Sequence, residues 1–258
     1  MRKSNTFKTL VVLAVFVFAG FGAKAQLTHL EQSLYLNFNL PTAQFNDDIV
    51  ANALTEQIPM TRFNAGKGAG FGFGLGYRVS YRFDVGFGEV SPYIHADIQW
   101  NRVKGDIRDE YMNAGDGKAP NYFNIPIYLG VNYRYQLTDI FTPFAEFGIG
   151  PDIFMITKET GSLNVAADPL TGAAAHKYDF KMRYQTTTNV AFQLGLGCYF
   201  GPHVSASLHY NGYGKHAIKY HKGDEPTEPA LAHAETSNDG KTQTRSVGML
   251  SLRIGFHF

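Results

Sequence analysis

Residues that could carry acid–base chemistry occur in two short pairs. His95 and Asp97 lie two positions apart, and so do Ser207 and His209. A histidine beside a carboxylate or a hydroxyl is the usual basis of proton transfer and nucleophilic catalysis. On an extended strand, however, residues two apart are separated by about 7 Å, which is long for a direct bond between His95 and Asp97. The sequence also has no nucleophile elbow and no zinc-binding helix motif. We therefore predict polar groups that satisfy one another, in a protein that is not an enzyme.

A second group of potential ligands lies near the C-terminus. His216, His221 and His233 occur among lysines and acids, without a tight metal-ligand spacing such as H-x3-H. This pattern favours a solvated loop. We accordingly predict no metal site and no cofactor.

Many of the remaining ionisable residues alternate with apolar residues along the sequence. The residues of this set that we expect to form one polar network are Arg78, Arg82, His95, Asp97, Arg134, Glu146, Asp152, His209 and Arg253. Arginine and carboxylate groups on one surface pair readily. A period of two is the mark of β-strands with unlike faces, so strands must bring these residues together.

Eight segments show this alternation. They are Ser33–Leu40, Gly70–Arg82, Ser91–Arg102, Tyr122–Tyr135, Pro143–Met155, Thr188–Phe200, Val204–Gly212 and Ser246–Phe258. One face of each segment is apolar and uncharged, while the other mixes glycines, amides and charges of both signs but no lysine. The pattern predicts an all-β fold of eight antiparallel strands.

Two features indicate that the apolar face points outward. Several segments are longer than the five or six residues usual in soluble strands, and a tilted strand needs about 9–11 residues to cross a bilayer. Inward glycines among opposite charges suit a cramped interior better than a solvated surface. The sequence therefore predicts a transmembrane up-and-down β-barrel surrounded by lipid, with Cys198, the single cysteine, facing that lipid as a small apolar residue.

The inward glycines are compatible with either a filled interior or a narrow channel. Seven of them, at positions 72, 74, 76, 148, 150, 195 and 197, could make room for large side chains or leave a narrow channel. Small barrels usually fill their interiors, so we expect a salt-bridged plug.

The connections alternate strictly between short and long. The short ones are Phe83–Val90, Gln136–Thr142 and Gly201–His203, and the long ones are Pro41–Ala69, Val103–Asn121, Ile156–Thr187 and Tyr213–Arg245. Tight periplasmic turns and four long extracellular loops are typical of outer-membrane barrels. Aromatic residues near strand ends fit the lipid–water boundary; they include Trp100, Tyr133, Tyr135, Tyr210 and Phe258.

Two local features add detail to this arrangement of strands and loops. Pro126 and Pro151 fall inside predicted strands and remove backbone donors, which predicts a bulge or a local break. In the first long loop, Asn46, Asp47 and Asp48 could cap a short helix over the mouth of the barrel.

The N-terminal residues predict a signal peptide, and the composition excludes several classes of protein. Basic residues, the apolar run Leu10–Phe18 and an A-x-A site ending at Ala25 predict a cleaved signal peptide over residues 1–25, followed by a barrel domain over residues 26–258. The net charge of +1 offers no basic excess for nucleic acid. Aromatic content of 14% and a single cysteine exclude a disordered chain and a disulfide scaffold. The mean hydropathy of −0.19 excludes a polytopic helical membrane protein.

Several stretches resemble a known family. Residues 123–129, with Pro126 in the centre, and residues 143–151 resemble two successive strands of the PorT-like outer-membrane β-barrel family, and residues 40–42 resemble the exit of its first strand. The resemblance covers essentially all of residues 26–258. It implies an eight-stranded barrel of OmpA/OmpX type in the outer membrane of a Gram-negative bacterium, without implying a single activity.

The C-terminus carries a further resemblance. Its alternating apolar residues resemble the β-signal that barrel-assembly machinery recognises; they are Leu252, Ile254, Phe256 and Phe258. The resemblance implies that machinery as a partner during insertion.

These observations predict a monomeric, non-catalytic barrel with a structural role or a role in surface contact, in which the four long loops meet an unidentified extracellular ligand. Three alternatives remain open: a narrow porin-like channel for small solutes, an accessory barrel of a secretion system, and an enzyme. A soluble periplasmic lipid carrier is a further rival that membrane fractionation separates from a barrel.

Overall fold

The computed structural model describes residues 29–47, 65–113, 117–165, 176–219, 221 and 243–258. The predicted signal peptide and the capped helix expected after Asp48 lie outside the described residues. The strands are β1 (Leu30–Thr42), β2 (Ala69–Tyr81), β3 (Phe83–Asp84), β4 (Glu89–Val103), β5 (Asn121–Arg134), β6 (Phe141–Ile156), β7 (Glu159–Val165), β8 (His176–Met182), β9 (Thr187–Phe200), β10 (Val204–Ile218) and β11 (Gln243–His257).

Helices are minor elements in the described part of the chain. A 3₁₀ turn spans Ala43–Phe45, and helix α1 spans Gly105–Asn113. No helix among the described residues has the length and the apolar composition needed to cross a bilayer.

Eight of these strands close into a cylinder. The ring order is β1, β2, β4, β5, β6, β9, β10, β11, and every neighbouring pair is antiparallel. Leu36 of β1, for example, lies opposite Leu75 of β2 on one side and Ile254 of β11 on the other. Because the first and last strands pair, the cylinder has no unpaired edge. The structure confirms the predicted eight-stranded, up-and-down barrel.

The two faces of the barrel wall differ as the alternation predicts. Leu129, on the outer face of β5, is 62% exposed, while Arg253, on the inner face of β11, is completely buried. The outer face is a continuous apolar belt, and the inner face is polar. Cys198 lies in the outward register, opposite Ala206 and Pro143, but its neighbours cover it so that only 9% is exposed.

The lengths of the connections distinguish the two ends of the barrel. Short turns join β2 to β4, β5 to β6, and β9 to β10, and we call that end the turn end. The strand ends that the long connections join are at the opposite end, the loop end, where α1 and the β7–β8 hairpin are found.

Several strands extend further toward the loop end than the alternation predicts. The sequence predicts that the seventh strand ends at Gly212, whereas β10 continues to Ile218. The register with β11 shifts between Gly212 and Lys215, and Gly214 adopts a positive φ of 77°. A bulge of this kind reverses the order of inward and outward residues, which hides the strand from a search for a period of two.

The two prolines interrupt the ladder without shifting its register. Pairing of β5 with β6 is broken between Pro126–Asp152 and Leu129–Ile149, and the register is the same on both sides of the gap. Ile127, at the register position opposite Pro151, falls within this gap. Of the two predicted outcomes, the structure shows the local break and not the bulge.

The apolar belt leads to a first prediction. An arginine in place of Leu129, near the middle of a spanning strand, should destabilise the barrel by about 2–4 kcal/mol because the charge meets hydrocarbon. The matched control is Ile140→Arg in a turn, where the side chain is 72% exposed and the cost should be about 0–1 kcal/mol. Urea titration of barrels folded into lipid vesicles measures both. Equal losses would mean that Leu129 does not face lipid.

Candidate functional site: the barrel interior

The interior contains a salt bridge that crosses from one wall to another. Strand alternation turns Arg78 of β2 and Glu146 of β6 inward, where both are nearly fully buried. The guanidinium donates two parallel hydrogen bonds, Nη1 to Oε2 at 2.7 Å and Nη2 to Oε1 at 2.6 Å. The ring of Tyr93 lies against the same guanidinium, with its centroid 4.0 Å away. Because β2 and β6 are three positions apart in the ring, this pair connects two separate parts of the wall.

A second arginine extends the pair into a network. Arg253 of β11 donates to Asn37 at 2.8 Å and to Asp97 at 3.1 Å, and its Nη1 lies 3.5 Å from Glu146. Asn37 in turn donates to Asp97 at 2.8 Å. These contacts join β1, β4, β6 and β11, and we call Arg78, Asp97, Glu146 and Arg253 the ionic core.

His95 contacts the ionic core in a way that contradicts the sequence-based expectation. The spacing along the strand suggested that His95 and Asp97 are too far apart for direct contact, yet His95 Nε2 lies 2.9 Å from Asp97 Oδ1. The expectation was wrong because it measured backbone spacing, whereas side chains on one face of a strand can lean toward each other. Gly76 faces this pair, and a Cβ atom there would collide with the Asp97 carboxylate.

Histidine and serine pair in two places. His209 Nε2 lies 2.8 Å from Ser207 Oγ, and its Nδ1 lies 3.5 Å from Glu146. Near the turn end, His257 Nε2 lies 2.8 Å from Ser205 Oγ, and its Nδ1 lies 3.5 Å from Glu31.

The group around His209 has the order of a serine–histidine–carboxylate triad, whereas the nearest partner of His257 Nδ1 is the hydroxyl of a third serine, Ser33, at 2.8 Å. The two serines, however, are only 5% and 1% exposed, for Ser207 and Ser205 respectively. The group around His257 was not predicted from the sequence, although the alternation in β11 turns His257 inward.

The turn end holds a separate ionic cluster. Arg134 donates to the two oxygens of Glu31 at 3.0 and 3.2 Å and lies over the ring of Tyr199, 4.4 Å from its centroid. Arg82 is 3.9 Å from Glu31, but 37% of its side chain is exposed, so it lies at the rim and not inside the ionic core. Above these residues a cavity of about 950 Å³ opens at the turn end, and His257 and Phe258 contribute to its lining.

Asp152 lies apart from the ionic core, toward the loop end. Its carboxylate is 3.3 Å from His216 Nε2, and His216 Nδ1 lies 2.9 Å from Thr187 Oγ1. The prediction that placed His216 in a solvated loop was wrong, because the extension of β10 carries this residue into the interior. Among the described residues no three histidines, cysteines or acids form a group that could hold a metal ion, and His233 lies outside them.

Inward glycines make room for the polar side chains. A Cβ atom on Gly148 would lie 2.8 Å from the Tyr93 hydroxyl, and one on Gly195 would collide with the His209 ring. Of the two readings that the sequence leaves open for these glycines, the structure favours space for neighbouring side chains.

An apolar cluster fills the interior at the loop end. The ring of Phe45, from the 3₁₀ turn after β1, packs 5.1 Å from Tyr122 and 5.9 Å from Phe154, measured between centroids. Other members are Tyr213, Ile218, Val247 and Met249. The alternation did not identify Phe45 as an inward residue, because Phe45 follows the last alternating residue of the first strand.

The residues that resemble the assembly signal lie on β11, the last strand of the barrel, and just after it. Leu252 and Phe256 are exposed on the outer face of β11, and Ile254 is half-buried on the same face. Phe258 donates its backbone amide to Gln32 at 3.0 Å, which continues the seam between the first and last strands.

Comparison with known proteins identifies the class. The family described as outer membrane protein beta-barrel domain matches residues 11–250, and the chain belongs to this family. It is therefore a protein of the outer membrane of a Gram-negative bacterium. In barrels of this class short turns face the periplasm and long loops face outward, so we expect the turn end on the periplasmic side. No curated protein matches the sequence.

The solved structures similar to the chain include three outer-membrane proteins. The attachment invasion locus protein Ail of Yersinia pestis is 12% identical, with 90% of this chain and 100% of that chain covered and a TM-score of 0.40. The outer membrane protein OprG from Pseudomonas aeruginosa is 14% identical, with 89% and 96% covered and a TM-score of 0.38. The outer membrane enzyme PagL is 12% identical, with 86% and 97% covered and a TM-score of 0.36.

The ionic core leads to a second prediction. Arg78→Met should lower the free energy of unfolding by about 3–5 kcal/mol, because Glu146 is left as a buried charge without its main partner. Adding Glu146→Met should restore part of the loss. The matched control is Arg108→Met, whose exposed pair with Asp109 contributes about 0–1 kcal/mol. Urea titration in lipid vesicles measures all three, and a loss below about 1 kcal/mol for Arg78→Met would contradict the prediction.

Proposed function

We propose that the protein is a closed, non-conducting and non-catalytic barrel that acts through its extracellular surface, as a structural component or by contact with an external ligand. The observation that supports this proposal is the filling of the interior in two successive layers. The ionic core occupies the middle of the barrel, and the apolar cluster around Phe45 occupies the loop end. An eight-stranded barrel has an interior that side chains can just fill.

The ionic core is a barrier to solutes as well as a space-filling layer. An ion that passed between Arg78 and Glu146 would have to separate two groups that form two short hydrogen bonds. Breaking a buried pair without replacing its partner costs several kcal/mol. The same argument applies to Arg253, whose guanidinium contacts four polar side chains from four different strands.

The loop end supplies the surface on which contacts can form. Helix α1, the β7–β8 hairpin and the extension of β10 all lie there, beyond the apolar belt. A rigid barrel that holds ordered elements and long polar connections above the membrane is typical of proteins whose recognition residues lie in loops. The name of Ail, an attachment invasion locus protein, describes a role of this kind for a protein of similar fold.

A narrow channel for small solutes is the second candidate. The cavity of about 950 Å³ at the turn end favours it, because it reaches from the periplasmic side to Arg134 and Tyr199. A channel would require the ionic core and the apolar cluster to separate.

Conductance in planar bilayers tests the closed state. The wild-type barrel should give no stable single-channel openings. A triple variant that empties the core, Arg78→Ala with Tyr93→Ala and Arg253→Ala, should give openings if it inserts, because it removes three of the large side chains that block the path. Heat-modifiable migration on gels checks that both proteins are folded. Large and stable openings of the wild type would reject the plug and support the channel.

A labelling experiment tests the absence of catalysis. PagL is named an enzyme, and Ser205 and Ser207 of this chain lie beside histidines, so a serine hydrolase is the specific alternative. A fluorophosphonate probe should leave the folded barrel unlabelled, because both serines are almost completely buried. A soluble serine hydrolase serves as the positive control. Labelling that disappears in Ser205→Ala or Ser207→Ala, but not in Ser246→Ala, would overturn the proposal.

A further inference from the structure

Two of the short turns expose large apolar side chains. The turn between β2 and β4 carries Val85 and Phe87, and the turn between β5 and β6 carries Leu137 and Ile140. Phe87 is 70% exposed and Ile140 is 72% exposed, more than Leu129 of the apolar belt. We call these four turn residues the apolar turn tips. Turns that face water are usually built from glycine, proline, asparagine, aspartate and serine, so the apolar turn tips indicate a different surrounding.

The apolar turn tips occupy one side of the barrel. The four strands that the two turns join, β2, β4, β5 and β6, are consecutive in the ring. The third short turn, between β9 and β10, consists of Gly201, Pro202 and His203 and carries no large apolar side chain. The turn end is therefore apolar at its tips on the β2–β6 side only.

The apolar turn tips continue the outer face of the wall. Val85, Leu137 and Ile140 lie outside the lining of the turn-end cavity. Phe87 borders that cavity, but its ring lies 6.4 Å from the ring of Tyr133, measured between centroids, and Tyr133 is on the outer face of β5. The Tyr133 hydroxyl also donates to the Phe87 carbonyl oxygen at 2.9 Å. The apolar belt thus extends from the strands onto these two turns.

The backbone of the first turn is hydrogen-bonded within the protein. The Val85 amide donates to the Gly88 carbonyl oxygen at 3.0 Å, and the Gly86 amide donates to Asp84 Oδ1 at 2.7 Å. An amide that is paired in this way does not need water, so the turn can enter a region that contains little of it.

The second turn satisfies its backbone in the same manner. The Leu137 and Thr138 amides both donate to the Phe141 carbonyl oxygen at 3.2 Å. The Thr138 hydroxyl oxygen accepts the amides of Ile140 and Phe141 at 3.4 and 3.0 Å. The Ile140 carbonyl oxygen accepts the Gly201 amide at 2.7 Å. Both apolar turns therefore combine exposed apolar side chains with paired backbone groups.

We propose that the apolar turn tips insert into the membrane interface, in the leaflet at the turn end. The partner of this surface is lipid, because the turn tips are continuous with the apolar belt. Asp84 and Asp139, the exposed acids of the two turns, stay at the level of the headgroups while the apolar side chains reach the acyl boundary, as in amphipathic segments that lie in an interface. Four side chains are too small a surface for a stable dimer.

Insertion on one side anchors that edge of the barrel. Because interfacial anchors set the tilt of a membrane-spanning element, the β2–β6 side should lie deeper in the leaflet than the β9–β10 side. The proposal rests on the membrane location of the barrel and is independent of the proposed function.

Quenching of tryptophan fluorescence by brominated lipids measures the depth of each turn. The chain has a single tryptophan, so a Trp100→Phe background allows one new tryptophan at a time. In phosphatidylcholine vesicles, Phe87→Trp and Ile140→Trp should lose more emission to lipids brominated near the headgroup than to lipids brominated near the end of the acyl chain. Leu129→Trp, within the belt, should show the opposite preference.

The matched control places a tryptophan in the third turn. His203→Trp should lose little emission to either lipid, which separates the position of the turn from the affinity of tryptophan itself for the interface. Heat-modifiable migration confirms that each variant is folded. Weak quenching of Phe87→Trp and Ile140→Trp would overturn the proposal: emission typical of a water-exposed indole would place the tips in water, and emission typical of a buried indole would place them against a second copy or another protein. Equal quenching of His203→Trp would overturn insertion on one side.

Discussion

A single constraint governs this molecule: backbone amides and carbonyls in hydrocarbon must pair within the protein. A strand satisfies that requirement only with a partner on each side, so the sheet has to close, and β1 meets β11. Closure with eight strands fixes the diameter, and the diameter fixes how much space remains inside. The polar interior, the inward glycines and the absence of a wide lumen in the described barrel follow from this one requirement.

The narrow interior explains how the buried charges are arranged. Two guanidinium groups, of Arg78 and Arg253, face the two carboxylates of Asp97 and Glu146, so the ionic core is balanced. Isolated charges surrounded by hydrocarbon would be strongly destabilising, whereas paired and hydrogen-bonded charges are tolerated. Since the partners come from different strands, each pair also specifies how distant parts of the ring meet.

Much of this architecture can be predicted from the alternation of polar and apolar residues. A period of two is a local property, and it identifies which residues of β2, β6 and β11 face inward. Contacts across the interior depend on how the ring closes, which no local pattern encodes. The group around His257 escaped prediction for this reason. The contact of His95 with Asp97 was missed for a local reason, because backbone spacing does not show how two side chains on one strand lean toward each other.

The loop end shows the other limit of sequence analysis. Bulges reverse the alternation, so the end of β10 and His216 were assigned to a loop. Phe45 stands alone after the last alternating residue, and nothing in its neighbours indicates that it packs inside the mouth. The resemblance of residues 123–129 to a family strand accounted for Pro126 as a family feature, but only the paired register showed its physical effect.

The two prolines also affect where the barrel wall can open. Proline has no amide hydrogen, so Pro126 and Pro151 each withhold a donor from the ladder in which they lie. Pro151 lies in the gap between β5 and β6, and Pro126 lies in a second gap, between the pairs Ala96–Ile127 and Gln99–Asn124 of β4 and β5. The ladders on both sides of β5 are therefore interrupted, on the side of the cylinder opposite the seam of the chain termini. Transient opening of the barrel, and solvent exchange at its backbone, should begin along β5.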